Sequence, residues 1–259
     1  RDLKALVNEH LLVKTGQGRS TLYSVNPGYQ LVHAVIVDSY FDKDLDERKG
    51  KKRLDPDIFL LLEKISIFTP EELHQLDTLQ TTFREHVRTL PEEIVRKERN
   101  RLSIELSWKS SQIEGNTYSL LETEVLLSEH IPAEGKEKSE ATMLINHKRA
   151  MDYIYEQRIQ LTPLRTIAIE NIHSLLLDDL GISKNIRKRI VGITGTSYTP
   201  PDNEFQIREH LERACEVVNH RPLLFAQALL AVLLLSSIQP FEDGNKRTGR
   251  ITGNGILIE

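Results

Sequence analysis

The segment Gln239-Pro240-Phe241-Glu242-Asp243-Gly244-Asn245-Lys246-Arg247-Thr248-Gly249-Arg250 brings together what a phosphate site needs. Gly244 and Asn245 tolerate left-handed backbone angles, so their successive amides can curl into an anion-binding nest. Lys246 and Arg247 open a stretch that reads as a helix, whose first amides add a fixed positive potential. Arg247 and Arg250 share a helical face and offer two guanidinium forks to phosphate oxygens. Asp243, just ahead of the nest, is placed to hold a magnesium ion bridging those phosphates. Phe241 alternates away from Asp243 and is expected to anchor the loop in the core. The ordinary alternative is a solvated Gly-Asn turn before a basic helix, and a short match of that kind carries little weight alone. An acid, a nest, two spaced arginines and an anchor in one short segment favour the phosphate site. No Gly-x-Gly-x-x-Gly or Walker pattern occurs in the chain, so nucleotide binding rests on residues 243–250.

Gln239 is at odds with that site. Its amide donates and accepts hydrogen bonds but takes no proton near neutral pH. A general base is typically worth about 10²–10⁴ in rate. A site that relied on residue 239 as its base would therefore bind nucleotide but be crippled in catalysis.

Upstream, residues 95–114 read as a helix, with Leu102 and Leu106, then Ile104 and Trp108, at helical spacings. Gly115-Asn116 supplies its stop. Glu114 falls in the last turn, where the helix dipole disfavours a carboxylate, so it calls for a cation from elsewhere. Between these segments, Ile186 to Arg189 is basic, and Val191 to Pro201 alternates β-formers with glycines before a double proline. That pattern predicts a β-hairpin whose exposed edge could pair with an extended peptide. Read alone, the segment favours an ordinary surface hairpin of no function.

These stretches resemble the Fic/Doc (Fido) family. Residues 239–250 are similar to its motif His-Pro-Phe-x-Asp-Gly-Asn-Gly/Lys-Arg-x-x-Arg except at the first position, where Gln239 replaces the catalytic histidine. Ser110-Ser111-Gln112-Ile113-Glu114-Gly115-Asn116 is similar to the family's inhibitory motif, Ser/Thr-x-x-x-Glu-Gly/Asn. The resemblance implies a protein adenylyltransferase scaffold. AMP would pass from ATP, with Mg²⁺, to a Ser, Thr or Tyr hydroxyl of a target protein. It assigns Asp243 to the metal and Gly244, Asn245, Lys246, Arg247 and Arg250 to the nucleotide, with the two arginines on the β- and γ-phosphates. Ser110 and Glu114 become inhibitory, with Glu114 paired to Arg250. Ile193, Thr194, Gly195, Thr196, Ser197 and Tyr198 become a target-docking flap. Lys246 departs from the commoner glycine and occurs in the Doc-like branch, where a phosphate is moved, so the transferred group stays open. A rival reading is a non-catalytic nucleotide-binding or DNA-linked regulatory module on the same scaffold, which Gln239 favours.

The elements that must position these residues are mainly helical. Thr69-Pro70-Glu71-Glu72 and Ser119-Leu120-Leu121-Glu122 are capping-box starts, and Thr162-Pro163 predicts another. Residues 141–155 and 203–219 read as amphipathic helices. Leu223 to Ile238 is apolar nearly all round, as a helix at a bundle centre would be, and it delivers residue 239 to the motif loop. The expected fold is mainly α, a Fic helical bundle with a β-hairpin flap, preceded by part of a winged-helix-like module. Residues 1–55 form that module and a charged linker; residues 56–259 form the Fic domain.

In the first segment, Arg1 to His10 reads as a helix, and Leu11 to Lys14 and Thr21 to Val25 as strands around Gly16-Gln17-Gly18. Lys4, Lys14 and Arg19 offer phosphate contacts to DNA; the alternative use is protein contact. Tyr29 to Phe41 is apolar and leans to helix, and Asp42 to Arg53 reads as a solvated linker. Beginning at Arg1 and stopping soon after the motif, the chain reads as part of a longer polypeptide. Its 259 residues carry a net charge of −4, which gives no electrostatic case for nucleic acid. Cys215 is the single cysteine, so no disulfide framework or zinc ribbon forms. The nine histidines lack metal-ligand spacing. The 223–238 run is too short to span a bilayer, and the chain is expected to be cytoplasmic.

Overall fold

In the computed structural model, residues 2–9, 11–26, 28–32, 36–48, 50–157 and 161–258 are described. The N-terminal stretch forms α1 (Leu3–Asn8), strands β1 (Leu12–Thr15) and β2 (Leu22–Val25), and the short helices α2 (Tyr29–Val32) and α3 (Val37–Phe41). β1 and β2 pair antiparallel with Leu12 opposite Val25 and Thr15 opposite Leu22. The expected helix and strands therefore form, although Leu22 and Val25 stay exposed. Arg1, His10 and residues 33–35 lie outside the described residues.

The helical body comprises α4 (Asp57–Lys64), α5 (Pro70–Thr89), α6 (Glu92–Ile113), α7 (Leu120–Glu129), α8 (Lys138–Gln157), α9 (Thr166–Leu176), α10 (Glu204–Asn219), α11 (Leu224–Ile238) and α12 (Asn245–Ile258). Both capping boxes form as spelled: Thr69 with Glu72 and Ser119 with Glu122 exchange side chain-to-backbone bonds. The core joins α4 and α8 through α12, with Phe59, Met151, Ile169, Ile207, Leu234 and Ile251 among its buried side chains. Cys215 is buried and free, and burial pushes its thiol up to about 12. Among the described residues no helix is long and apolar enough to cross a membrane.

α11 and α12 pack closely. A Cβ at Gly253 would sit 2.8 Å from Val232 Cγ2 and 3.1 Å from the Ala228 carbonyl oxygen. The α12 backbone therefore lies directly on α11, which fixes the direction in which Arg247 and Arg250 leave their helix. Gly253→Ala is expected to lower stability by about 1–3 kcal/mol, the usual cost of overpacking. Denaturant unfolding of the purified variant measures it.

Several expectations are corrected. The helical spacing on α6 is as expected, but its buried face is mixed: Ile104 is buried and Leu106 packs on the core, Leu102 is 43% exposed, and Ser103, Ser107, Ser110 and Ser111 are buried. Hydroxyls let α6 approach closely, and Ser107 Oγ donates to the Ser103 carbonyl and lies 3.2 Å from His147 Nδ1 on α8. The helix expected at Thr162-Pro163 begins at Thr166, because the Asn219 side chain bonds both the amide and carbonyl of Leu164 and holds that residue out of the helix. The 191–201 segment forms no hairpin ladder; it runs as an extended loop with a turn at Thr194-Gly195 and one parallel bridge, Thr199 to Arg53. Pro200 and Pro201 lack amide donors, and a two-stranded ribbon alone is marginal. The charged linker is not merely solvated: Arg48 donates to the Gly195 carbonyl, the Thr199 amide donates to the Lys52 carbonyl, and Arg53 lies 3.6 Å from Asp202.

Candidate nucleotide site

α11 ends on Gln239, whose φ of 50° and ψ of 61° turn the chain sharply toward α12. The amide nitrogen of its side chain donates to the Ser236 carbonyl at 2.7 Å. Arg187 Nε donates to its backbone carbonyl at 2.6 Å. The loop that follows is closed by Asn245, whose side chain accepts from the Phe241 amide and donates to the Phe241 carbonyl. Thus Asn245 serves the loop with its side chain and leaves only its backbone to a ligand, a division of labour the sequence does not reveal. Phe241 is fully buried, as expected, and stacks on His173 at 3.6 Å between centroids.

His173 also supports the loop through Nε2, which lies 3.0 Å from the Asp243 carbonyl. A carbonyl only accepts, so Nε2 carries the proton. Burial holds the imidazole down to about 4, keeping it neutral. Gly244 has a φ of 76°, and a Cβ there would meet Leu177 Cδ2 at 2.5 Å. The positive φ therefore favours glycine, and a Cβ would also require the Leu177 side chain to shift.

Asp243 accepts from the Gly244 amide with one oxygen and from Arg247 Nη2 with the other, at 3.1 Å, while its side chain remains 57% exposed. Arg247 is 3% exposed, and burial lowers its pKa from the usual guanidinium value. Its Nη1 is buried without a partner. A buried charged donor left unmade is costly unless a ligand completes it. Beside it, the first turn of α12 presents amides that no intrahelical carbonyl can reach.

Arg250 faces the other way. Its Nε donates to Ser110 Oγ at 2.8 Å, and its Nη2 to the Ser110 carbonyl at 3.1 Å and to Glu114 Oε1 at 2.7 Å. The cation that the Glu114 position calls for is therefore Arg250, and the pair is about three-quarters shielded from solvent. His147 lies beneath the arginines; burial first, then Arg250 and Arg247, hold it down to about 3.

One open cleft collects Gln239, Asp243, Gly244, Asn245, Lys246, Arg247, Glu114, Ile193 and Thr194. Gly195, Thr196, Ser197 and Tyr198 do not line it. Tyr198 instead donates to the Ser237 carbonyl at 2.9 Å, and burial raises its phenol to about 12. Among the described residues no group of three or more His, Cys, Asp or Glu could hold a metal. A magnesium ion here would need phosphate oxygens to complete its shell, which is how that ion is commonly held. Arg187, His173 and His147 are functional neighbours that local sequence patterns miss, because each acts through a residue distant in the chain.

Residues 163–257 match the sequence model of the Fic/DOC family. The protein adenylyltransferase Fic of Nematostella vectensis is 30% identical over 159 residues, 58% of this chain and 36% of that protein. Its Drosophila melanogaster counterpart is 27% identical over 154 residues, 58% of this chain and 31% of that one. The chain thus spans about a third of the length of these curated relatives. Fic-1 from C. elegans shares the fold with a TM-score of 0.62 at 20% identity, over 72% of this chain and 56% of that one. A Fic family protein from Desulfovibrio desulfuricans G20 gives 0.60 at 18% identity, over 74% and 58%. Over residues 163–257 the chain is similar to the Fic/DOC family, and its mainly helical fold is shared with solved Fic structures.

Proposed function

We propose that this chain is a protein adenylyltransferase scaffold that binds ATP with Mg²⁺, is held off by Glu114, and is impaired at the proton-transfer step by Gln239. The observation that carries the binding reading is the orphaned, buried Arg247 Nη1 beside the Asp243-Gly244 turn at the head of α12. Asp243 would hold the magnesium, which when bound would neutralise charge on the phosphates. The α12 amides at Asn245 and Lys246 and the Arg247 guanidinium would take the phosphates, with Arg250 joining once Glu114 releases it.

The transfer itself balances simply. A Ser, Thr or Tyr oxygen of the target forms a bond to the α-phosphorus, the bond from that phosphorus to the β-bridging oxygen breaks, and pyrophosphate leaves. The hydroxyl proton must go to a base. The Gln239 amide occupies the base position, its nitrogen already spent on Ser236, and it can orient a hydroxyl without deprotonating it. Lys246 keeps phosphate transfer as the variant of this chemistry. Ile193 and Thr194, on the cleft, would meet the target, with Gly195, Thr196, Ser197 and Tyr198 shaping the segment behind them. The partition at residue 55, with a partial winged-helix module for DNA or protein contact, and a cytoplasmic setting belong to the same proposal.

Titration calorimetry with MgATP tests the binding reading. Asp243→Ala and Arg247→Ala are each expected to weaken binding by about tenfold to a hundredfold, since each removes a charge-assisted contact worth about 1.5–3 kcal/mol. No nucleotide binding, even in Glu114→Gly, would sink the phosphate site. The second reading is a non-catalytic nucleotide-binding module, which Gln239 specifically favours. It predicts MgATP binding with no transfer even after position 239 becomes histidine.

A further inference from the structure

Arg187 is a buried cation with unusual partners. It is 1% exposed and its charge is gathered entirely by carbonyls. Nε donates to Gln239 at 2.6 Å, Nη2 to Pro201 at 2.5 Å and Ile238 at 3.4 Å, and Nη1 to Arg189 at 2.8 Å. Its backbone amide adds a bond to the Pro240 carbonyl at 3.0 Å. Among the described residues no carboxylate forms an ion pair with it; Asp202 acts on it only at longer range.

Burying an unpaired guanidinium is expensive, and an apolar side chain of equal volume would fill the same space at less cost. What the guanidinium adds is direction. Its carbonyls come from two places alone: the end of α11 through Pro240, and the two ends of the 189–201 segment. Each place lacks rigidity of its own. Gln239 holds left-handed angles that cost a non-glycine residue about 1–2 kcal/mol. The 191–201 segment has no strand ladder; besides Arg187 it is tied by its bridge to Arg53, by Arg48 at the Gly195 carbonyl and by Tyr198 at the Ser237 carbonyl.

We infer that Arg187 is a positioning residue that locks residue 239 and the 189–201 segment into one unit, so that the reacting side chain and the target-facing cleft wall keep a fixed mutual geometry. The kinetic part of this inference rests on the adenylyl-transfer reading; the structural part does not.

The test uses the whole chain with Arg187→Met, which keeps the apolar stem, and Arg187→Lys, which keeps the charge but not the fork. Hydrogen exchange comes first. Both variants are expected to exchange faster jointly at 190–200 and 239–242, with Met above Lys and the α9 and α11 interiors unchanged. In a Gln239→His background, kcat for AMP incorporation should fall about tenfold to a hundredfold in Arg187→Met, the scale of a small misplacement of reacting groups. The MgATP Kd should stay within about twofold, because the phosphate contacts lie on α12, and Arg187→Lys should recover part of kcat. If Arg187→Met does not fold, Arg187→Lys carries both measurements. The inference is overturned if the two segments loosen independently or not at all. It is also overturned if activity falls only with the folded fraction, equally in both variants. A Gln239→His background that transfers no AMP counts against the function reading, and the exchange result then decides the Arg187 unit alone.

Discussion

Gln239→His is expected to raise AMP incorporation into protein by about 10²–10⁴, the usual worth of a positioned general base. The backbone favours the exchange: residue 239 sits at φ 50°, and histidine is enriched several-fold among the non-glycine residues that adopt such angles. The surrounding loop is set by Asn245, Phe241 and Arg187 rather than by the Gln239 side chain, whose hydrogen bond among the described residues goes to Ser236. A free imidazole titrates near 6.5, in the range where it can serve as a base. Activity of the variant should therefore rise with pH as the imidazolium loses its proton and becomes a base. His173 will not contribute that limb, since burial keeps it neutral down to about pH 4. Incorporation of label from α-labelled ATP, with the chain itself and added proteins as acceptors, measures the effect. A parent chain that is already fast, and that the substitution leaves unchanged, places the base elsewhere.

What the sequence made legible is what it encodes locally. The 239–250 loop, the two capping boxes, the all-round apolar α11 and the Gly115 stop of α6 depend on residues a few positions apart, and each forms. The Glu114 position was informative because a carboxylate at a helix C-terminus needs a cation, and Arg250 supplies it. Long-range partners were not legible. The spacing on α6 gave the helix but not its partners: Ser107 and Ser110 meet His147 and Arg250, which α8 and α12 bring to that side. β-formers at 191–199 suggested a hairpin, but prolines and glycines leave the segment to be held by Arg187, Arg48 and Lys52 instead. His173 and Arg187 carry no local signature at all.

Glu114→Gly in the Gln239→His background is expected to tighten MgATP binding and raise transfer by a further tenfold to a hundredfold, about one charge-assisted contact of 1.5–3 kcal/mol. The pair it breaks is mutual: Glu114 Oε1 lies 2.7 Å from Arg250 Nη2, and Ser110 takes two more donors of the same guanidinium. While that holds, Arg250 is turned to α6, and the cleft keeps the Glu114 carboxylate beside the 243–247 turn, where it would repel a bound polyanion. Removing the carboxylate frees the guanidinium and subtracts that repulsion together. The fold should tolerate the change, because residue 114 follows the helix and a carboxylate at that end opposes the helix dipole. Glu114→Gln separates the causes: it keeps a hydrogen-bond acceptor for Arg250 without the charge, and should fall between parent and glycine. Ser110→Ala should act in the same direction and more weakly, since it removes the Nε acceptor and leaves the ion pair. Calorimetry with ATP and with AMP reads the mechanism directly. Freeing Arg250 for the terminal phosphates should strengthen ATP far more than AMP. Equal gains for both nucleotides would assign the effect to relieved repulsion, and no gain for either would leave the Glu114–Arg250 pair without a regulatory part.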